Sequence, residues 1–281
     1  MPILTAKNQP LRLSASKIKD ALLCMRLFKL AHIDLLAKPK PSKYLTFGTT
    51  MHDVFELAHL RDKPPTKREM KGWLNKFWIK KDEEYNALLN GLEYWEALGY
   101  ESIKEEVEFK ELGIKIIDDY HASVIKAGEY KPSLHTEIYF KLPFSKGYEL
   151  SGKIDRIVET DEGKLQIVDW KTSQKKDSIN ALMKDVQLGI YWWASKELFN
   201  INDDDIEDTG LYYLRHSEYR AIKHDIFSLG GVLGQIEEVI DKVENEYFVP
   251  TKSWKCNYCD VKEACDAINN NKAKCLPIKR G

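Results

Sequence analysis

The clearest pattern of hydrophobic and polar positions along the chain lies in residues 150–173. Two apolar, β-rich runs there flank a polar Asp-Glu-Gly-Lys turn, which predicts a β-hairpin. Asp155 lies on the first run, and Asp169, Trp170 and Lys171 lie at the end of the second. Because side chains alternate along a strand, we expect Asp169 and Lys171 on one face and Trp170 on the other.

Helix-like and strand-like periods alternate on both sides of this hairpin. The predicted helices span residues 14–31, 178–198 and 232–247. Another helix begins within residues 47–52, with Thr49 or Thr50 as its cap. The predicted strands span residues 135–143, 210–215 and 219–227. Strands, a helix, more strands and a helix predict a mixed central sheet flanked by helices, which is the α/β (α+β) class.

A helical insertion is predicted over residues 62–134, before the first of these strands. Charged and aromatic positions alternate over most of it, which predicts two or three helices with loops near Pro64-Pro65 and Asn90-Gly91. The aromatic side chains could stack on nucleic acid bases. Their helical spacing favours the core instead, so we predict that most of them are buried.

The length of 281 residues is enough to bury a full core, as one elaborated domain or one domain with an insertion. No stretch is long and apolar enough to cross a bilayer, and the polar N-terminus lacks the apolar segment of a signal peptide. We therefore expect a cytoplasmic protein, in which cysteines are more often metal ligands or reactive thiols than disulfides.

Charge is unevenly distributed along the chain, although the net charge is only −1. Residues 1–50 hold nine Lys or Arg against two Asp, a net charge of +7. Residues 251–281 hold seven Lys or Arg against three acids, a net charge of +4, which leaves −12 for the middle of the chain. The basic ends are either two solvated tails or, if they meet, one cationic surface.

Two carboxylates on paired strands form a candidate metal site. Asp155 and Asp169, with Lys171 two residues later, would bind a hard divalent cation and place an ammonium beside the group that the cation activates. The alternative is an exposed hairpin whose charges are merely solvated. His52, four residues before Glu56 on one helix face, is a candidate further ligand, although an isolated helical histidine is more often structural.

Three cysteines lie close together near the C-terminus: Cys256, Cys259 and Cys265. Thiols at this spacing in an intracellular chain indicate a metal site that needs one more ligand, for which Cys24 and Cys275 are the candidates. Zinc and an iron–sulfur cluster both accept four thiolates, and the spacing does not separate them. The alternative is three cysteines that bind nothing.

Six segments together resemble the RecB-like branch of the PD-(D/E)XK nuclease superfamily. They read, in order, SASKIKDALLC, FGTTMHDVFE, SGKIDRIV, IVDWKTS, VQLGIYWWA and CNYCDVKEAC. Within that branch they are most similar to members with a four-cysteine iron–sulfur cluster, such as the CRISPR-associated RecB-like exonucleases and the nuclease domain of AddB. The resemblance covers both ends and residues 135–200, but not the helical region 62–130.

This resemblance implies a restriction-endonuclease-like fold with a metal-dependent active site. His52, Asp155, Asp169 and the backbone carbonyl of Trp170 would bind Mg²⁺ or Mn²⁺. Lys171 would orient or deprotonate the attacking water and stabilise charge in the transition state.

Further roles are implied for residues around the two carboxylates. Gln187 and Tyr191, which share a face of the predicted 178–198 helix with Lys184, would position the scissile strand. Glu137, on the predicted strand before the hairpin, would support the site.

A 4Fe–4S cluster is implied at the cysteines, and it would join the two basic ends into one cationic surface. Its ligands would be Cys24, Cys256, Cys259 and Cys265. Met25 stands where many relatives have proline, which leaves Cys275 open as a substitute for Cys24.

Four segments follow from these assignments. They are N-terminal helices with the first cluster cysteine and the histidine ligand (1–61), the helical insertion (62–134), the nuclease core (135–250) and the cluster segment (251–281).

The implied function is a Mg²⁺- or Mn²⁺-dependent deoxyribonuclease, an exonuclease that acts on single-stranded DNA ends, with protein partners in repair or CRISPR adaptation. One alternative is a DNA-binding subunit of such a complex with secondary nuclease activity. Another is a zinc-stabilised structural module with a vestigial site. The intact set of Asp155, Asp169 and Lys171 argues against a vestigial site, and a colourless purified protein would indicate zinc.

Overall fold

The hairpin predicted from the sequence lies within a five-stranded mixed sheet. The computed structural model describes residues 2–38, 41–78, 93–270 and 277–280. Its strands are β1 (Ile3–Leu4), β2 (His135–Pro143), β3 (Glu149–Glu159), β4 (Leu165–Lys171), β5 (Ile206–Tyr213), β6 (Glu218–Ile222) and β7 (Lys279–Arg280). Strands β2 to β6 are hydrogen-bonded in chain order, with β4 and β5 parallel and the other neighbours antiparallel. The sheet confirms the predicted fold class, and β2 has the predicted bounds.

The helices of the described residues lie before, between and after these strands. They are α1 (Ala15–Leu23), α2 (Met25–Phe28), α3 (Lys43–His59), α4 (Lys67–Trp78), α5 (Tyr94–Ala97), α6 (Ile103–Tyr120), α7 (Ile179–Leu182), α8 (Val186–Phe199), α9 (Ile226–Glu244) and α10 (Lys262–Asn269). Within the described ranges, none of them has the length and apolar character needed to cross a membrane.

A separate hydrophobic core lies on each face of the sheet. Helices α1, α8 and α9 pack on one face, where Ile167 of β4 is fully buried with Ile190 of α8. Helices α3, α4 and α6 pack on the other face, around Trp170 of β4 and Phe55 of α3. Burying one such large side chain contributes about 3 kcal/mol. The two cores fix β4, so that Trp170 faces α3 and the Asp169 side chain faces α8, as the strand period predicts.

Cysteine 24 interrupts the first predicted helix. Ser14 caps α1, with its hydroxyl accepting from the backbone N–H of Lys17. Cys24 then takes an extended conformation, with φ −164° and ψ 113°, and its Sγ accepts from the N–H of Leu27, 3.5 Å away. The prediction of one helix to residue 31 was therefore wrong, because a side-chain cap starts a second helix at Cys24.

Helix α3 begins earlier than predicted, at Lys43 after Ser42. Thr49 and Thr50 are therefore interior residues, and the prediction that either caps the helix was wrong. The Thr50 hydroxyl donates instead to the Thr46 carbonyl oxygen at 3.0 Å, which satisfies it inside the helix.

The predicted helix over 178–198 is two helices. Ser178 caps α7, and Asp185 caps α8 by accepting from the N–H groups of Gln187 and Leu188. Lys184 lies in the break between them, so its predicted place on the Gln187 face was wrong.

The last strand of the sheet ends earlier than predicted, and the helix after it also begins earlier. The predicted strand 219–227 ends at Ile222, and α9 begins at Ile226 rather than at residue 232. Asp225 and Ser228 form a reciprocal capping box that starts this helix early.

The insertion contributes α4, α5 and α6, and its aromatic residues belong to the core. Pro64-Pro65 lies in a loop as predicted, whereas Tyr85 and Asn90-Gly91 lie outside the described residues. Trp78 and Tyr100 are buried. Trp73, Phe77 and Trp95 pack against the same core. These positions confirm the core prediction for the aromatic side chains that the structure describes.

The two ends of the chain lie against each other. Strands β1 and β7 pair antiparallel. Arg26 Nε donates to the Phe248 carbonyl oxygen at 3.3 Å, and the Lys38 N–H donates to the Asp260 carbonyl oxygen at 3.1 Å. The basic N-terminal and C-terminal segments are thus neighbours, as a single cationic surface requires.

Candidate active site

The predicted catalytic and metal-binding residues line one cavity of about 820 Å³. Its lining includes His52 from α3, Asp155 from β3, Asp169, Trp170 and Lys171 from β4, and Gln187 and Tyr191 from α8. The sheet places the two aspartates on paired strands, and α3 and α8 approach them from opposite faces. The structure therefore brings together every residue predicted for catalysis and metal binding.

Asp155 is buried and hydrogen-bonded on its Oδ2 atom. The Trp170 N–H donates to this oxygen at 3.0 Å, and His52 Nδ1 lies 3.3 Å from it. Burial raises the pKa of Asp155, but the hydrogen bond and charge of His52 outweigh burial, so that the pKa lies below its usual range. Asp155 is therefore held as a carboxylate at neutral pH.

Asp169 is 2 % exposed and ion-paired with Lys171. Its Oδ2 lies 2.5 Å from Lys171 Nζ, yet that oxygen makes no hydrogen bond of good geometry within the described residues. Burial, and then the charge of Asp155, raise the pKa of Asp169 against the opposing effect of Lys171. Burial lowers the pKa of Lys171, but the charge and hydrogen bond of Asp169, together with the charges of Asp155 and Asp185, outweigh burial, so that the net pKa is raised. Lys171 is therefore an ammonium at neutral pH.

Gln187 and Tyr191 lie one helical turn apart and hold this pair in place. Gln187 Nε2 donates to Asp169 Oδ1 at 2.8 Å and to the Tyr191 hydroxyl at 2.9 Å. Gln187 Oε1 accepts from Lys171 Nζ at 3.3 Å. The Tyr191 hydroxyl in turn donates to the Lys153 carbonyl oxygen at 2.5 Å. One amide therefore contacts both the carboxylate and the ammonium.

His52 lines the cavity, whereas Glu137 contacts it only indirectly. Burial lowers the pKa of His52, but its hydrogen bond with Asp155 and the charges of Asp155 and Asp169 outweigh burial and raise it. Glu137 does not line the cavity; it forms an ion pair with Lys153, which does. Its contact with the site is thus through Lys153.

Sequence reasoning missed several residues of the cavity wall, among them Lys19, Tyr44, Lys153 and Arg215. Lys153 stands two residues before Asp155, so the strand period could have placed it on the same face. Arg215 follows β5, and its Nε donates to the Thr172 carbonyl oxygen at 2.6 Å, just beyond β4. No local pattern identifies that residue, because only the parallel pairing of β4 with β5 brings it to the site.

The donor set at this cavity suits a hard divalent cation. Two buried carboxylates, one of them ion-paired with Lys171, lie beside an imidazole and a strand backbone. Oxygen-rich sets of this kind bind Mg²⁺ and Mn²⁺. Across the residues that the structure describes, no three His, Cys, Asp or Glu side chains are gathered closely enough to form a complete metal-binding group. Any complete set would therefore include a backbone oxygen or water.

The other predicted cofactor ligands line a second cavity, of about 800 Å³. Cys24, Cys256, Cys259 and Cys265 all contribute to it. Burial, together with the charges of the other three thiols, raises the pKa of Cys259. Among the described residues, these cysteines do not form a complete metal-binding group. Cys275 lies outside the described residues.

Backbone and side-chain N–H groups point at three of these sulfurs. Cys24 Sγ accepts from the N–H of Thr251 at 3.3 Å, and Cys256 Sγ accepts from the N–H of Ser253 at 3.5 Å. Asn269 Nδ2 lies 3.7 Å from Cys265 Sγ. N–H groups in this position stabilise metal-bound thiolates. These contacts suit thiolate sulfurs at this cavity.

Comparison with known proteins identifies the family. Residues 12–266, most of the chain, match the sequence profile of the PD-(D/E)XK nuclease superfamily. None of the curated proteins is a match. Among 25 matching chains of solved structures is "Crystal structure of SSO0001", which is 22 % identical over 59 % of this chain and 80 % of that one, with a TM-score of 0.33. That likeness carries no weight here, whereas the profile match agrees with the mixed sheet flanked by helices. The chain therefore belongs to the PD-(D/E)XK nuclease superfamily, and this membership implies metal-dependent nuclease activity on DNA.

Proposed function

We propose that this protein is a Mg²⁺- or Mn²⁺-dependent deoxyribonuclease that digests DNA from single-stranded ends. One observation carries the proposal: Asp155, Asp169 and Lys171 meet in one cavity, with Gln187 bonded to both members of the ion pair. Two carboxylates and an ammonium are the groups that metal-assisted hydrolysis of a phosphodiester needs.

Each residue of the cavity has a role in this chemistry. His52, Asp155, Asp169 and the Trp170 carbonyl would hold the cation, which supplies Lewis-acid activation of the phosphodiester and of water. Because its pKa is raised, Lys171 acts as an ammonium that orients the attacking water and stabilises the charge that develops on phosphate.

The bond changes are those of hydrolysis. The water oxygen attacks phosphorus and gives up a proton to solvent, the bond from phosphorus to the leaving oxygen of the DNA breaks, and that oxygen takes up a proton from solvent. Gln187 holds the Asp169 carboxylate and the Lys171 ammonium in their relative positions during hydrolysis. Gln187 and Tyr191 therefore position the two charged groups, whereas the family resemblance implies that they position the scissile strand.

The cavity wall supports a single-stranded substrate. Arg215 supplies a cation, as do Lys19 and Lys153, whose ammonium groups are ion-paired with Asp185 and Glu137. Tyr44 is 65 % exposed at the same wall. Single-stranded DNA binds where cations track the backbone and aromatic rings stack on bases. A duplex presents no free base face to such a ring.

A substrate series tests this proposal. With Mg²⁺, the parent protein is expected to shorten a linear single strand stepwise from a free end and to leave a circular single strand intact. EDTA should stop the digestion, and added Mg²⁺ or Mn²⁺ should restore it. Cleavage of the circle at a similar rate would exclude the exonuclease assignment, and cleavage in EDTA would exclude the metal-dependent chemistry.

We further propose that Cys24, Cys256, Cys259 and Cys265 hold a 4Fe–4S cluster. The shared cavity and the N–H groups directed at three sulfurs support four thiolate ligands. Zinc would bind the same ligands, so the visible absorption of the purified protein distinguishes the two. Joined in this way, the basic ends would present one cationic surface to DNA. We also propose that the protein acts with protein partners in repair or CRISPR adaptation.

The His52→Ala variant tests the histidine as a metal ligand. It is expected to need about ten-fold or more additional metal for half-maximal cleavage and to favour Mn²⁺, the softer cation. The measurement is a titration of cleavage rate with each metal. His135→Ala, which removes an exposed histidine of β2 outside the cavity, is the matched control. A parent-like titration of His52→Ala would assign His52 a structural role.

A further inference from the structure

Exposed aromatic side chains lie on the C-terminal segment, outside the catalytic cavity. Trp254 is 71 % exposed and Tyr258 is 81 % exposed, although large aromatic side chains are mostly buried in folded proteins. Both belong to the short 3₁₀ helix Trp254–Tyr258, with Lys255 between them. These three residues are named the aromatic patch.

Each ring of the aromatic patch keeps an open face. The centroids of Trp254 and Tyr258 are 6.4 Å apart at an interplanar angle of 72°, so the rings meet edge to face and do not stack on each other. Lys255 Nζ lies 5.9 Å from the Trp254 centroid. Within the described ranges, Lys255 has no acidic partner. Two ring faces and an unneutralised cation are therefore available to a ligand.

This combination suits single-stranded DNA better than a protein. Protein interfaces are depleted in lysine at their core. Surfaces for single-stranded nucleic acid combine lysine or arginine with open aromatic faces. We infer that the aromatic patch binds single-stranded DNA as a second contact, separate from the catalytic cavity. The inference deepens the proposed function and rests on it for the class of substrate.

Helix α1 connects the two contacts. Lys19 of α1 lines the catalytic cavity. Leu23, about one helical turn further along α1, lines the second cavity, which Trp254 and Tyr258 also line. Lys19 and Leu23 are four residues apart, about 6 Å along the helix axis at 1.5 Å per residue. A strand that is bound in the catalytic cavity therefore has to continue past α1 to contact the aromatic patch.

Binding of short and long strands tests this inference. The parent and the Trp254→Ala/Tyr258→Ala double variant are titrated with labelled single strands of about three and about 20 nucleotides, in EDTA so that no strand is cut. The double variant is expected to bind the long strand at least ten-fold more weakly, a loss of about 1.4 kcal/mol. The Kd of the short strand should not change.

Two further variants make the comparison specific. Trp254→Phe/Tyr258→Phe keeps the rings and should bind the long strand much like the parent. Tyr247→Ala removes another exposed aromatic side chain, 53 % exposed, and should also match the parent. Thermal melting of each variant checks that the fold is retained.

Every outcome decides the inference. A double variant that binds the long strand as tightly as the parent overturns it and leaves the aromatic patch to a protein partner. Equal weakening of both lengths also overturns it, because the short strand does not reach the patch. If the double variant loses affinity only for the long strand but the parent never cuts DNA with Mg²⁺ present, the proposed nuclease function fails while the second contact stands.

Discussion

The Asp169→Asn variant is expected to lose DNA cleavage by at least about 10³-fold while keeping its fold. Asparagine has nearly the same shape, and its carbonyl can still accept the hydrogen bond that Gln187 donates at 2.8 Å. The variant loses the negative charge that would bind the cation and that holds Lys171 Nζ at 2.5 Å. Because burial raises the pKa of Asp169, that charge is costly in the folded state. We therefore expect the variant to melt close to the parent temperature, because it loses this costly charge while Asp155 still stabilises the Lys171 ammonium.

Asp208→Asn is the matched control for this substitution. Asp208 lies on β5, next to β4, and accepts hydrogen bonds from Gln166 Nε2 at 3.1 Å and from the Tyr219 hydroxyl at 2.5 Å. Burial raises the pKa of Asp208, as it does for Asp169, but Asp208 lies outside the catalytic cavity. Its variant should cleave DNA at the parent rate. An equal loss in both variants would mean that any change of charge in the sheet disables the protein.

If the proposed cluster is present, the Cys24→Ala variant is expected to lose several kcal/mol of unfolding free energy together with the brown colour that a 4Fe–4S cluster gives. Cys24 is more than 230 residues before Cys256, so a cluster that joins them closes nearly the whole chain into a loop. Such a constraint removes about 5 kcal/mol of unfolded-state entropy. Because the cluster would clamp the two basic ends together, DNA binding should fall more than the rate on bound DNA. Thermal melting, visible absorption and single-turnover cleavage measure the three effects.

Cys275→Ala provides the comparison for the cluster. This variant also removes one thiol, and it should keep the colour and stability of the parent. The opposite result, a brown and stable Cys24→Ala protein beside a bleached Cys275→Ala protein, would move the fourth ligand to Cys275. The proposed clamp between the N-terminal helices and the C-terminal segment would then be lost as well.

The catalytic hairpin could be predicted from the sequence because its signals are local. A glycine-containing turn between two β-rich runs predicts a hairpin, and Gly163 indeed takes a positive φ of 77° in it. The two-residue strand period separates Trp170 from Asp169 and Lys171, and the structure has Trp170 in the core beneath α3. Pairing of β3 with β4 then brings Asp155 beside Asp169.

The helix breaks were harder to predict because single side-chain contacts decide them. At Cys24 a thiol takes the place of the usual hydroxyl or carboxylate cap, and no common propensity signals such a cap. The helix start at Asp185 could have been predicted, since an aspartate before an apolar helical run is a common N-cap. It was missed because the hydrophobic period continues across residues 183–185. Arg215 depends on the pairing of β4 with β5, which no local pattern encodes.

The central claim is that Asp155, Asp169 and Lys171 act as one unit in metal-dependent cleavage. The most direct measurement is the single-turnover rate on an end-labelled single strand, with Mg²⁺, for the parent, Asp169→Asn, Lys171→Ala and the variant with both substitutions. We expect each single variant to fall close to the rate of the double variant, because removing either member of the unit disables the other. A Lys171→Ala protein that cleaves at the parent rate, or single losses that multiply in the double variant, would contradict the claim.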